Sequence, residues 1–167
     1  MRRLRSDAGF GLIEMLAALV MINIGILVIL LTLNSGVLAL RRSAELATAS
    51  VVADKQMEQY RAKTYASIYL DTTSVASADS TYTSDSAYCP TNCSDTKVTQ
   101  TCSPLVSACT PTQTLAGPDG RSYRVDTYIV WKTPSGGRAV KQVTVVVRKA
   151  GATAALARAL STFDEAF

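Results

Sequence analysis

The chain has 167 residues, 48% of them hydrophobic and 18% charged, with a formal net charge of +4 and no histidine. That length suits one domain of ordinary size, and the lack of histidine removes the commonest general base and metal ligand, so an enzyme is not the expected class and no cofactor is called for. Arg2, Arg3 and Arg5 stand against Asp7 in the first nine residues, so the remainder carries a net of only +2, without a Lys/Arg cluster to recommend a nucleic-acid partner.

Residues 1–9, MRRLRSDAG, form a short basic leader. From Met15 to Leu33 there are 19 residues without a charge, interrupted only by Asn23, Gly25 and Thr32, enough to cross a bilayer as a helix. The expected membrane element spans 10–40. Arginines flank both ends, Arg41 and Arg42 on the far side, so charge count does not orient it; the larger downstream part, with its four cysteines, places the C-terminal side outside. A conventional secretory signal ending at Val37-Leu38-Ala39 is disfavoured, because the apolar run exceeds the 7–15 residues of a cleaved signal's core.

The helical pattern then continues over 41–70. Leu46, Ala49, Ala53, Met57, Tyr60, Thr64 and Ile68 recur at spacings of three and four, and no proline occurs before Pro90. Roughly sixty helical residues at about 1.5 Å each make a rod of about 90 Å, far more than a membrane needs.

Residues 71–118 are rich in Ser, Thr, Asp and Pro and read as loops with short strands. Cys89, Cys93, Cys102 and Cys109 all fall here, an even number that suits disulfides in an oxidising compartment. Three pairings are open; one, Cys93–Cys102 nested inside Cys89–Cys109, staples a hairpin. A zinc site is disfavoured by the irregular spacing. Asp79, Asp85, Asp95, Asp119 and Asp126 are scattered without the spacing of a calcium loop.

In residues 119–167, Ser122–Lys132 alternates, placing Tyr123, Val125, Thr127, Ile129 and Trp131 on one face. Ala139–Lys149 carries Val140, Val143, Val145, Val146 and Val147, and Thr133-Pro134-Ser135-Gly136-Gly137 supplies a turn between them. Gly117-Pro118-Asp119-Gly120 is a turn before the first strand. Lys132, Arg138, Lys141, Arg148 and Lys149 read as a solvated strand face in preference to a DNA-binding strip. The Ala-rich tail from Ala150 fits a short helix or an extended end. The expected fold class is α+β: a long N-terminal helix, membrane half plus amphipathic half, packed on a C-terminal antiparallel sheet with disulfide-stapled loops, residues 41–167 forming one head.

The junction Gly9-Phe10-Gly11-Leu12-Ile13-Glu14-Met15-Leu16, a basic leader ending in glycine, an aromatic residue, a glutamate and then an unbroken apolar helix, resembles the class III signal of type IV prepilins and type II secretion pseudopilins. Gly11 stands where threonine or serine is commoner in that family. The segment Asp54–Ala62 and the hairpin strands are similar to those of minor pilins of the PilV sort or I-type pseudopilins, and the absence of proline in the membrane helix favours a minor subunit.

The resemblance implies a pilin-like fold, cleavage after Gly9 by a prepilin peptidase, and N-methylation of Phe10. It gives Glu14 an assembly role, pairing with the Phe10 amine of a neighbouring subunit. A carboxylate inside an apolar helix costs roughly 2.5–3.5 kcal/mol on insertion scales, so such a residue calls for a partner. The implied function is a structural or priming subunit (minor pilin) of a type IV pilus. Its implied partners are the prepilin peptidase and methylase, other pilin subunits, the assembly platform in the cytoplasmic (inner) membrane, and membrane lipid before assembly; DNA uptake serves some filaments of this kind, but these residues do not support DNA as a partner. The implied location is single-pass in that membrane with the head extracytoplasmic, then the pilus. A pseudopilin of a type II secretion or competence machine is the alternative within the family. From another class, a single-pass membrane-anchored extracytoplasmic binding domain is the rival, and it expects Met1–Gly9 to stay attached.

Overall fold

The computed structural model describes residues 11–74, 79–88, 96–104 and 106–165. A helix of 50 residues, α1 (Leu12–Arg61), is followed by a one-turn helix α2 (Ser80–Thr83) and four strands, β1 (Thr112–Ala116), β2 (Ser122–Lys132), β3 (Val140–Lys149) and β4 (Ala155–Phe163). The strands form one antiparallel sheet in the order β1-β2-β3-β4. This is the expected α+β class. The chain divides into two compact units, one ending at Ser43 and a head from Ala44 to Phe167.

Within the head, Ala49, Val52, Ala53, Gln56, Met57 and Tyr60 are the buried residues of α1. Their alternating spacings of three and one make a single helical stripe. It packs on Tyr123, Val125 and Ile129 of β2 and Val143, Val145 and Val147 of β3, together with Ile68, Leu70 and Val98. The period of two puts those strand residues on one face, as the alternation in sequence predicts. Fully burying a side chain such as Val or Met is worth about 1.5–3 kcal/mol, so this seam is the principal source of stability in the head.

α1 ends at Arg61, well short of the residue 70 that its sequence pattern suggests. Ala62 N–H donates to Glu58 O at 3.0 Å and Lys63 N–H to Tyr60 O at 3.1 Å, after which Thr64 is extended and Tyr65–Ser67 makes a 3₁₀ turn. No glycine or proline stops it. Instead Ile68 and Leu70 turn into the core, and the Lys141 ammonium of β3 donates to Tyr65 O at 2.7 Å and Ile68 O at 2.9 Å. A straight helix would carry those two apolar residues away from the sheet.

The strand connections follow turn chemistry. Gly120 N–H donates to Gly117 O at 3.0 Å between β1 and β2, and Gly137 N–H to Pro134 O at 2.9 Å between β2 and β3. Gly151, at φ +79°, lies in the turn closed by Ala152 N–H on Lys149 O at 2.9 Å. That last turn sends the Ala-rich tail back as β4, which resolves it as a strand. A second, smaller cluster covers the sheet face away from α1, where Tyr82 and Ala87 pack on Tyr128 and Val146, with Tyr88 half-buried beside them.

Candidate functional site

The N-terminal half of α1 is the first candidate. Every residue from Gly11 to Ala44 is exposed, including Leu12, Ile13, Leu16, Leu19, Ile22, Leu27 and Leu31. The helix is long and apolar enough to cross a membrane. Its polar side chains turn back on their own backbone: Asn23 Nδ2 donates to Leu19 O at 2.8 Å, Thr32 Oγ1 to Ile29 O at 2.8 Å and Ser35 Oγ to Thr32 O at 2.9 Å. Such self-satisfaction lets a polar group sit in hydrocarbon at reduced cost.

Glu14 lies in the first turn of α1 and is exposed. Its own N–H donates to Gly11 O at 2.9 Å. An acid there is favoured by the positive end of the helix dipole, and no basic side chain is recorded against it among the described residues. Gly9 and Phe10, the expected cleavage and methylation positions, lie outside the described residues, and so do Cys89, Cys93 and Asp95.

The other cysteines are bonded to each other, Cys102 to Cys109. This corrects the nested arrangement considered from sequence. The bridge sits beside Asp71: Asp71 N–H donates to Cys109 O at 2.9 Å, and Cys102 N–H to Asp71 Oδ2 at 3.0 Å. The Cys102 amide and the Thr73 hydroxyl hold the Asp71 carboxyl below its ordinary value. A groove of about 180 Å³ lined by Asp71, Thr72, Thr73, Thr99, Gln100 and Thr101 opens here. Its carboxylate is already engaged by those bonds.

The aspartates are sorted by the fold in a way their spacing does not reveal. Asp79, Asp85 and Asp126 meet three arginines on the sheet face away from α1. Arg124 Nη2 is 2.8 Å from Asp79 Oδ2, and its Nε is 2.9 Å from Asp126 Oδ1; Arg148 reaches both Asp126 and Asp85, and Arg158 lies 3.0 Å from Asp85. The side chains of Asp126, Asp85 and Arg148 are 0%, 5% and 3% exposed. Burial pushes the Asp126 carboxyl up against the opposing pull of Arg124 and Arg148. Burial acts in the same sense on Asp79, but the Tyr82 amide and Arg124 hold it below the usual carboxylate range.

Charge pairing occupies these acids, and no group of three or more His, Cys, Asp or Glu among the described residues is arranged to hold a metal. Asp119 stands apart in the β1–β2 turn, accepting from Tyr123 Oη at 2.8 Å.

The solvated strand face expected on the hairpin is corrected at two of its residues. Lys141 and Arg148 are 5% and 2% exposed, Lys141 over the Tyr65 ring at 4.5 Å and the Trp131 ring at 5.4 Å, with burial lowering its pKa. Lys149 remains exposed. The missed partners, Arg124 and Arg158, carry no local signal beyond standing on the same strand face as the sheet alternates. No family model, curated protein or solved structure matches the chain.

Proposed function

We propose that this chain is a structural or priming subunit, a minor pilin, of a type IV pilus-like filament. It is anchored in the cytoplasmic membrane by α1, with its head on the outer side, until it is assembled. The observation that carries the reading is the character of α1: one unbroken helix, exposed, largely apolar and free of charge from Leu12 to Leu40 save for a carboxylate at Glu14, continuing to Arg61 as the helix on which the head's core is built. The rest of the chain is in keeping with that role, since the Cys102–Cys109 bridge suits an oxidising compartment.

In this reading the bond between Gly9 and Phe10 is cut by a prepilin peptidase, creating an amine that Glu14 of an adjacent subunit meets in a medium of low dielectric. The test is intact mass and N-terminal sequencing of the protein from its native membrane, with and without the peptidase. Loss of residues 1–9 with one methyl on Phe10, only when the peptidase is present, is the expected result. An intact Met1 terminus in both strains overturns the proposal in favour of a membrane-anchored binding domain.

A further inference from the structure

The segment Asp79–Tyr88 crosses the sheet face away from α1 without joining the sheet. Its backbone hydrogen bonds are local: Thr83 N–H to Asp79 O at 3.0 Å, Ser84 N–H to Ser80 O at 3.0 Å and Tyr88 N–H to Asp85 O at 3.0 Å. Among the described residues, its hydrogen bonds to the strand backbone run through one tyrosine hydroxyl, Tyr82 Oη donating to Thr127 O at 2.8 Å; Tyr128 Oη of β2 returns a bond to Tyr82 O at 3.0 Å. The Tyr82 and Tyr128 rings stack at 4.4 Å. The remaining attachments are the ion pairs of Asp79 on Arg124 of β2 and of Asp85 on Arg148 of β3 and Arg158 of β4, with the Lys97 ammonium over the Tyr88 ring at 3.3 Å. The apolar cluster under the segment is separate from the cluster under α1.

We propose that Asp79–Tyr88 is a strap, latched to the outer face of the sheet by the carboxylates of Asp79 and Asp85, that opens as a unit while the core between α1 and the sheet stays closed. Proteins open in cooperative pieces whose boundaries follow contact density and backbone pairing, and among the described residues this segment has no backbone pairing with the sheet. Opening uncovers Tyr82, Tyr128 and Val146 together with the guanidinium group of Arg148, and releases the half-exposed Arg158 from Asp85. Asp85 is the stronger latch, because one buried carboxylate holds arginines from two strands. Removing its charge leaves Arg148 with the Asp126 carboxylate and the Thr153 carbonyl and strands buried charge, the costly way to break an ion pair.

The test is hydrogen exchange by mass spectrometry on the full chain in detergent micelles, comparing the native protein with Asp85→Asn. Amides from Thr81 to Tyr88 are expected to exchange about a hundredfold faster, while those of Ala49–Tyr60, β2 and β3 stay within about twofold. Acceleration of the core together with the strap would make the head one cooperative unit and overturn the proposal, as would an unchanged strap. If Asp85→Asn does not fold, Arg158→Gln, at a position 39% exposed, removes one arm of the latch. It is expected to accelerate the strap alone by about fivefold, and an unchanged strap or a uniform acceleration overturns the proposal equally.

Discussion

Gly117→Ala puts a methyl group where the head has no room for one. A Cβ at this position would stand 2.6 Å from Tyr123 Cε2, 2.7 Å from Asp119 Oδ1 and 2.9 Å from Thr48 Cγ2. None of the three can yield freely. Tyr123 is 1% exposed in the core, its hydroxyl is bonded to Asp119 Oδ2 at 2.8 Å, and Thr48 is carried on the rigid helix α1. Overpacking costs about 1–3 kcal/mol and a hydrogen bond to a charged group about 1.5 kcal/mol, so the expected loss is about 2.5–4.5 kcal/mol if the Tyr123–Asp119 bond breaks. That is a large share of the roughly 5–15 kcal/mol that stabilises a domain.

The assay is urea unfolding of the full chain in detergent, followed by Trp131 fluorescence, with Gly120→Ala as the control. Gly120 has nothing within 4 Å of an added Cβ and is constrained only by its φ of +72°, so its substitution should cost about 1–2 kcal/mol of backbone strain. With a urea slope of about 1–3 kcal/mol/M, Gly117→Ala should lower the midpoint by at least about 0.8 M. A loss no greater than that of Gly120→Ala would refute the steric argument.

Tyr60 supplies an alkaline test. Burial pushes its hydroxyl up to about 12 against the smaller influence of Thr127 and Gln56, so the unfolded chain loses its proton near pH 10 while the folded chain keeps it. The neutral tyrosine therefore contributes stability that is fully present below pH 10 and declines by about 2–3 kcal/mol as pH rises to about 12; comparing midpoints of the native protein and Tyr60→Phe across that range isolates the effect. At neutral pH Tyr60→Phe should be neutral or stabilising by up to about 1 kcal/mol, because among the described residues the buried hydroxyl has no partner of hydrogen-bond geometry. Lys141→Met should destabilise the head by about 2–4 kcal/mol, since it keeps the stem's volume but leaves the carbonyls of Tyr65 and Ile68 without their donor. Proteolysis should then begin between Lys63 and Leu70, and cleavage confined to other loops would count against that role.

What the amino-acid sequence determined by itself is everything written in short-range periodicity. The apolar run makes the first half of α1, a three-and-four spacing places Ala49, Ala53, Met57 and Tyr60 against the core, and alternation aims Tyr123, Val125 and Ile129 at them. Glycine and proline mark the turns at 117–120 and 134–137 for the same reason: backbone conformation there depends on one or two residues. The end of α1 was not legible, because Arg61 is followed by no breaker and the helix yields to a lysine from β3 and to the burial of Ile68 and Leu70. β4 was ambiguous because alanine tolerates helix and strand alike, and only pairing with β3 decides.

The charge lattice is the furthest from sequence. Asp85 and Arg148 are 63 residues apart, and neither residue nor its neighbours indicates that the other will bury it. Local sequence sets the conformations a segment can adopt. The fate of a buried charge is set by the partner that tertiary structure brings to it, because an ion leaves water only where another group compensates it.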